Sequence, residues 1–212
     1  GYQPDELAVV HGKLYVANSG GYRNPNYDRT VSVIDLKTFK EERKIDVAIN
    51  LHRCRADKYG QLWVSSRGDY KEVPSRLYWL KPNAAGQMEK GGELEVPVSN
   101  MCIVGDSLYY IGVQWNETSK KNSIEYGIVK VSQHKVIAHS LSSAPEIQSI
   151  EMPYGIIVNP QKKDFYLMDA KNYVSSGELF HFKVDGTFDW RVWTGDIPAE
   201  AAFVYRKPQL PS

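Results

Sequence analysis

Apolar and polar residues alternate along most of this chain, which is the pattern of half-buried β-strands. Residues 14–38 show it most clearly: an apolar run rich in Tyr and Val, a polar loop of Gly, Asn, Pro and Tyr, and then the alternating stretch Val31–Asp35. This order predicts a β-hairpin with a long tip. No window of helical length carries a clean apolar stripe, so the pattern predicts an all-β fold.

The hairpin pattern occurs four times. Its first strand reads Leu14-Tyr-Val-Ala-Asn18, and similar strands begin at Leu62, Leu108 and Phe165, at intervals of about fifty residues. A short apolar segment precedes each hairpin and a more polar strand follows it, so each repeat contains four strands. Repeats of this size are typical of propeller blades, in which each blade covers the exposed sheet face of the next.

We therefore predict a β-propeller of four-stranded antiparallel blades, with blades at residues 4–50, 51–99, 100–152 and 153–198. Ala199–Tyr205 resembles the first inner segment, Asp5–Val10, so residues 199–206 are predicted to form an additional, closing strand. The chain would then have five inner strands but only four hairpins. This mismatch predicts that residues 1–212 are the C-terminal part of a larger ring, and a self-contained four-bladed ring is the alternative.

Composition and charge argue against some classes of function. The formal net charge is +1, with acids and bases interspersed, and this argues against a nucleic-acid partner, which usually requires a concentrated basic face. No apolar run is long enough to cross a bilayer. Cys54 and Cys102 lie at equivalent places in successive inner strands. A disulfide between them is conceivable, but buried free thiols are the favoured interpretation, because equivalent positions on neighbouring blades need not meet the short separation that the bond requires.

A propeller brings two sets of loops to one face, those that join the second and third strands of each blade and those that join one blade to the next, and rigid sheets hold them there. In this chain those loops carry aromatic rings, cations and amides. The candidate ligand-binding residues are Tyr22, Arg23, Asn24, Tyr27, His52, Arg53, Arg67, Asp69, Tyr70, Asn100, Trp115, Tyr154, Lys171 and Tyr173. Such a set suits a large, polar, partly planar ligand. A protein partner fits nearly as well, and ordinary loop composition accounts for any single position.

Motifs for catalysis are lacking: the sequence has no nucleophile elbow, zinc-protease motif, phosphate loop or dinucleotide fingerprint. We therefore expect a non-enzymatic protein with no catalytic residues, no metal and no cofactor. The enzymatic alternative is a metal-dependent hydrolase of the lactonase-like propeller kind. Its ligands would be His52, Asp69 and Asp169, with Glu117 as a further carboxylate.

The chain resembles the YncE-like β-propellers and, more closely, the surface propeller lipoproteins of gut Bacteroidetes. The most specific parts of the resemblance are Gly1–Val10, Asn18–Tyr22, Tyr27–Asp35, Ile45–Arg53 and Thr194–Pro198. That group includes BtuG-type proteins, which are seven-bladed propellers that bind corrinoids and deliver them to a TonB-dependent outer-membrane transporter.

Several expectations follow from the resemblance alone. It implies an exported, non-catalytic protein at the cell surface or outer membrane of a Gram-negative bacterium, held to the membrane only through a lipid anchor outside this sequence. It implies a corrinoid such as cobalamin as ligand rather than cofactor, a transporter as partner, and a ring of seven blades. The alternative function is a surface-layer or protein- or glycan-binding scaffold without a small-molecule ligand.

Overall fold

The computed structural model describes residues 1–116 and 119–205. Within these residues, sixteen strands form four antiparallel sheets of four strands each, and consecutive strands are neighbours in every sheet. The prediction of an all-β propeller with four-stranded blades is therefore confirmed. No helix in the described ranges is long and apolar enough to cross a membrane.

Each sheet is one blade, and its strands are numbered in chain order from the inside outwards. The first blade contains β1 (Pro4–Val10), β2 (Lys13–Asn18), β3 (Thr30–Asp35) and β4 (Lys40–Asp46). The second contains β5 (Leu51–Ala56), β6 (Leu62–Ser66), β7 (Arg76–Pro82) and β8 (Met88–Leu94). The third contains β9 (Asn100–Val104), β10 (Ser107–Asn116), β11 (Lys121–Lys130) and β12 (Lys135–Ala138). The fourth contains β13 (Pro153–Val158), β14 (Phe165–Asp169), β15 (Ser176–Phe182) and β16 (Phe188–Asp196). Short 3-10 helices lie at Gly21–Arg23, Val131–Gln133 and Pro145–Ser149.

The turn between β1 and β2 shows how local sequence sets the register. His11 and Gly12 have φ values of 47° and 75°, and a two-residue hairpin turn of type I′ requires positive φ at both positions. Gly adopts that conformation without steric cost. The turn pairs Val10 with Lys13, so alternate residues of β1 and β2 face the same side of the sheet.

The apolar core lies between neighbouring blades because each sheet buries both faces. In β6, Leu62 and Val64 pack in the cluster shared with the first blade, whereas Trp63 packs in the cluster shared with the third. A further cluster joins the third and fourth blades and includes Leu167 and Phe180. The inner strands β1, β5, β9 and β13 pack side by side in that order, which brings the connections into β5, β9 and β13 to one face of the molecule.

The closing strand predicted for residues 199–206 is wrong for its described part, because residues 199–205 form no strand. The segment runs beside the fourth blade instead. The Phe203 ring lies 5.6 Å from the Tyr166 ring, and the Tyr205 hydroxyl donates to Asn159 Oδ1 at 3.4 Å. A strand needs ladder hydrogen bonds from a neighbour, and no second strand pairs with this segment in the ranges that the structure covers. Arg206 lies outside the described residues.

The strands of the third blade extend into a stretch whose polar composition favours a loop, residues 114–122. β10 continues to Asn116, and β11 begins at Lys121. Val113 and Ile124 face each other across the two strands and pack against the core shared with the fourth blade. This apolar pair keeps the ladder intact beyond the blade. Trp115 is consequently on a strand of a projecting hairpin rather than in a loop.

Both cysteines are free thiols. Burial raises the pKa of Cys54 to about 12 and also raises the pKa of the partly buried Cys102. Since the thiolate is the reactive form, we expect Cys54 in the folded protein to resist a thiol-specific reagent at pH 8 and Cys102 to react slowly. Mass spectrometry of labelled peptides measures this, with full labelling of both residues in denaturant as the control. Rapid labelling of Cys54 in the folded protein would contradict the structure.

Candidate functional site

A cavity of about 590 Å³ opens on one face, between the second, third and fourth blades. Its size is within the range of small-molecule sites, roughly 300–1,000 Å³. Among the residues predicted from the sequence, those that line it are His52, Arg53, Arg67, Tyr70, Trp115, Tyr154 and Tyr173. They come from β5, from the loop after β6, from β10, from β13 and from the loop after β14, so the fold brings together the parts of the chain that the repeat pattern predicted to meet.

On the second-blade wall, two side chains are hydrogen-bonded to each other and to Asp5 of β1 behind them. Arg67 Nη1 donates to Asp5 Oδ2 at 3.0 Å, and Arg67 Nη2 lies 3.2 Å from His52 Nε2. His52 Nδ1 lies 3.1 Å from the same Asp5 oxygen. Because a guanidinium can only donate, His52 Nε2 must accept and Nδ1–H must donate to Asp5. The geometry therefore selects the neutral Nδ1–H tautomer of His52.

The electrostatic environment of His52 favours the same form. Burial lowers the pKa of His52, and the charges of Arg67 and Arg53 lower it further, against the opposing effect of Asp5. Asp5 has a lowered pKa because its hydrogen bond from His52 and the adjacent Arg67 outweigh the effect of burial, which alone would raise it. At neutral pH this wall therefore holds its positive charge on the arginines rather than on the imidazole.

Arg53 connects three blades at the base of the cavity. Its Nη1 donates to Glu6 Oε1 at 3.2 Å, and its Nε donates to the Ser99 carbonyl at 3.3 Å. Glu6 also accepts from the Cys54 backbone N–H at 2.6 Å. Asp5 and Glu6 belong to β1 and lie behind the cavity, whereas the cations Arg53, Arg67 and Lys71 line it. No carboxylate from the part of the chain that the structure describes is among the lining residues.

Aromatic rings form the wall on the third and fourth blades. The rings of Tyr154 and Tyr173 meet edge to face, with centroids 5.7 Å apart and planes at 81°. Trp115 is 54% exposed on the projecting hairpin. Asn100 was predicted as a ligand contact but is buried: its Nδ2 donates to the Tyr154 carbonyl at 2.9 Å. It therefore positions the start of β13 instead of lining the cavity.

The carboxylates of the hydrolase alternative bind the backbone. Asp169 is fully buried and accepts from the backbone N–H groups of Glu151 (3.1 Å), Met152 (2.8 Å) and Lys171 (2.9 Å). Asp69 accepts from the N–H groups of Lys71 and Val73 at 2.9 and 2.8 Å. Both carboxylates thus hold loops in shape. Across residues 1–116 and 119–205 no group of three or more His, Cys, Asp or Glu side chains could hold a metal ion, and Glu117 lies outside the described residues.

The remaining predicted residues do not line the cavity: Tyr22, Arg23, Asn24, Tyr27, Asp69, Asn100 and Lys171. The first blade accounts for most of them, because its loop folds onto its own N-terminal segment. The Tyr22 backbone N–H donates to Gln3 Oε1, and the Arg23 guanidinium stacks 3.8 Å from the centre of the Tyr2 ring. Tyr22 itself is 96% exposed.

Tyr27 and Lys171 also lie outside the cavity lining. Burial raises the pKa of Tyr27, and the neighbouring Tyr70 and Asp69 raise it further. Lys171 Nζ pairs with Glu178 Oε2 at 2.7 Å and lies 4.9 Å above the Trp193 ring. The salt bridge to a buried carboxylate turns Lys171 away from a role in ligand contact.

Sequence reasoning missed several residues of the site. Lys71 follows Arg67 in the same loop, and the length of that loop is the sequence feature that could have identified Lys71 as a site residue. Met152 and Val98 line the cavity as apolar residues, and nothing in their local pattern separates them from core residues. Asp5 and Glu6 were detectable only as acids on an inner strand next to one that carries arginines.

No protein-family profile and no curated protein sequence matches the chain. Solved structures do match the chain. Hydrazine synthase from Kuenenia stuttgartiensis matches with a TM-score of 0.66 and 12% identity over 91% of this chain and 49% of that chain. The N-terminal domain of Nup159 matches with a TM-score of 0.51 and 11% identity over 92% of this chain and 45% of that one. A protein of unknown function from Bacteroides caccae has 10% identity and a TM-score of 0.37, over 92% of this chain and 82% of that chain.

These likenesses concern the fold alone. The neighbours are β-propeller-like proteins, in agreement with the four antiparallel sheets of this chain. The chain spans about half the length of the first two structures. At identities this low, a shared fold carries no information about ligand or activity.

Proposed function

We propose that this protein is a non-catalytic binding propeller that captures a corrinoid, most specifically cobalamin, in the cavity of its loop face. The observation that carries the proposal is the pairing of an aromatic wall, Tyr154 and Tyr173 with Trp115, with a wall that carries Arg53 and Arg67. Rings provide contact area at small entropic cost, and arginines provide directed hydrogen bonds. A corrinoid offers a large, partly planar body with polar substituents, and an open cavity allows part of such a ligand to extend into solvent.

The resemblance to surface propeller lipoproteins supports the cellular part of the proposal. In this account the protein is exported and anchored by lipid at the outer membrane of a Gram-negative bacterium. It passes its ligand to a TonB-dependent transporter, and the four blades belong to a seven-bladed ring.

Calorimetric titration of the intact protein with cyanocobalamin tests the ligand. We expect saturable heat at micromolar concentration and a loss of affinity of about tenfold to a hundredfold when Tyr154 and Tyr173 are both replaced by alanine. Tyr22→Ala is the matched control, since this tyrosine belongs to the corresponding loop of the first blade but lies outside the cavity. Absence of heat with the wild-type protein would remove the corrinoid from the proposal.

The exposed rim favours a second candidate, an interaction scaffold for protein or glycan. Tyr22 is 96% exposed and Val174 is 80% exposed, and exposed aromatic side chains are common in protein interfaces. A scaffold would bind no cyanocobalamin. It would also retain its surface partner in a pull-down after the double replacement of Tyr154 and Tyr173, which separates it from the ligand-binding protein.

A further inference from the structure

The cationic side chains of the cavity lie on one of its sides. Its third- and fourth-blade side is aromatic and apolar, with Trp115, Tyr154 and Met152. Its second-blade side carries the cations Arg67 and Lys71 beside Tyr70 and Val73. A ligand that occupies the whole cavity therefore meets cationic side chains on the second-blade side only.

We infer that the second-blade side is an oxyanion subsite, in which Arg67 binds a phosphate or carboxylate group of the ligand. The inference rests on the proposed function in that both place the ligand in the same cavity. It adds the chemical class of group that the ligand must carry and the residue that selects for it.

Arg67 is pre-oriented for this task. A guanidinium has five N–H groups, and two of them are directed at Asp5 and His52, at 3.0 and 3.2 Å. These two contacts fix the plane of the group while its side chain stays about one-third exposed. The other N–H groups make no hydrogen bond within the described ranges, and a planar fork of this kind matches the oxygens of a phosphate or carboxylate. Binding an oxyanion there costs little side-chain entropy, because the arginine is already held.

The neighbouring groups maintain positive charge at this end of the cavity. His52 is neutral and accepts from Arg67, so it neither repels the guanidinium nor competes for the anion. No carboxylate of the described chain pairs with Lys71, which lines the same side. Asp5 and Glu6 lie on β1, behind His52, Arg53 and Arg67, and balance part of the charge without lining the cavity.

Thermal unfolding with simple anions tests the subsite without requiring the whole ligand. The intact protein is heated at pH 8 with inorganic pyrophosphate or with acetate, against sodium chloride of equal ionic strength. We expect pyrophosphate to raise Tm by several degrees, because a ligand that binds only the folded state stabilises it. Arg67→Gln should weaken the apparent affinity by about tenfold or more, because it removes a charge-assisted bidentate contact.

Two further variants make the result specific. Arg23→Gln removes an arginine from the same face but outside the cavity, and it should respond to pyrophosphate as the wild type does. Lys71→Gln removes an exposed lysine with no ion pair in the described structure, so it should fold normally and lose part of the response. A response to pyrophosphate alone identifies a phosphate-type subsite, and a response to both anions identifies a general oxyanion subsite.

Other outcomes overturn the inference. It is wrong if neither anion raises Tm of the wild type, or if Arg67→Gln and Arg23→Gln respond equally. The cyanocobalamin titration is independent of this experiment. Cyanocobalamin binding without an anion response would remove only the oxyanion subsite. An Arg67-dependent anion response without cyanocobalamin binding would remove only the corrinoid.

Discussion

Replacing Trp63 by alanine is expected to destabilise the protein by about 3–5 kcal/mol, the usual cost of removing a large buried aromatic side chain. Trp63 has no exposed surface, and its ring lies 6.0 Å from the Trp79 ring and 5.7 Å from that of His134. Its Nε1–H donates to Asp57 Oδ2 at 2.9 Å. The substitution thus leaves a cavity between the second and third blades and takes away a buried hydrogen bond. Urea unfolding at constant temperature measures the loss.

Trp193→Ala is the control for this experiment. Trp193 is 66% exposed, so its replacement should change the free energy of unfolding by no more than about 1 kcal/mol. Trp63→Phe separates packing from hydrogen bonding, since it keeps most of the ring volume but removes the indole N–H. If Trp63→Ala were no more destabilising than Trp193→Ala, the second and third blades would not depend on this ring for their packing.

Replacing Asp169 by alanine is expected to cost about 3 kcal/mol, because it leaves three backbone N–H groups without their charged acceptor. These donors belong to Glu151, Met152 and Lys171, which flank Tyr154 and Tyr173. The variant should therefore lose affinity for the cavity ligand as well as stability. Urea unfolding and cyanocobalamin titration of the same sample measure the two effects.

Asp169→Asn provides the matched comparison. Its remaining carbonyl oxygen can still accept from Met152 and Lys171, which share Asp169 Oδ1, so only the bond to Glu151 is lost. We expect a cost of about 1 kcal/mol and nearly unchanged affinity. If Asp169→Ala lost ligand affinity while its stability stayed that of the wild type, a direct role for this carboxylate in binding would replace the structural one.

Trp63 and Asp169 illustrate which features of a propeller can be predicted from sequence. The alternation around Trp63 and its equivalents at Tyr15 and Tyr166 predicted strands, and the repeat of the hairpin predicted blades. The burial of Asp169 was not readable, because a carboxylate after a strand has the same local pattern whether it binds backbone, metal or solvent. Its three backbone partners belong to the connection that enters the fourth blade and to the loop that follows β14.

The candidate site also has a part that the sequence predicted and a part that it did not. Arg67, Trp115, Tyr154 and Tyr173 line one cavity as the loop pattern predicted, although Trp115 reaches it from a strand. Tyr22 and its neighbours do not line it, because the loop of the first blade is held by Tyr2 and Gln3. The direction in which a loop bends depends on contacts with another segment, and these contacts leave no periodic signal in the loop itself.

By itself, the sequence determined most of the strands, the four four-stranded blades of the described chain, and several of the loops whose side chains meet on one face. Each of these follows from residues that are close together in the chain, because the two-residue alternation of a strand and the preferences of a turn depend on neighbouring residues. The tertiary structure alone decided which of the candidate residues line the cavity, the neutral tautomer of His52 and the supporting roles of Asn100 and Asp169. Arg67 meets Asp5 across 62 positions and Asn100 meets Tyr154 across 54, and contacts over such separations exist only once the blades have packed.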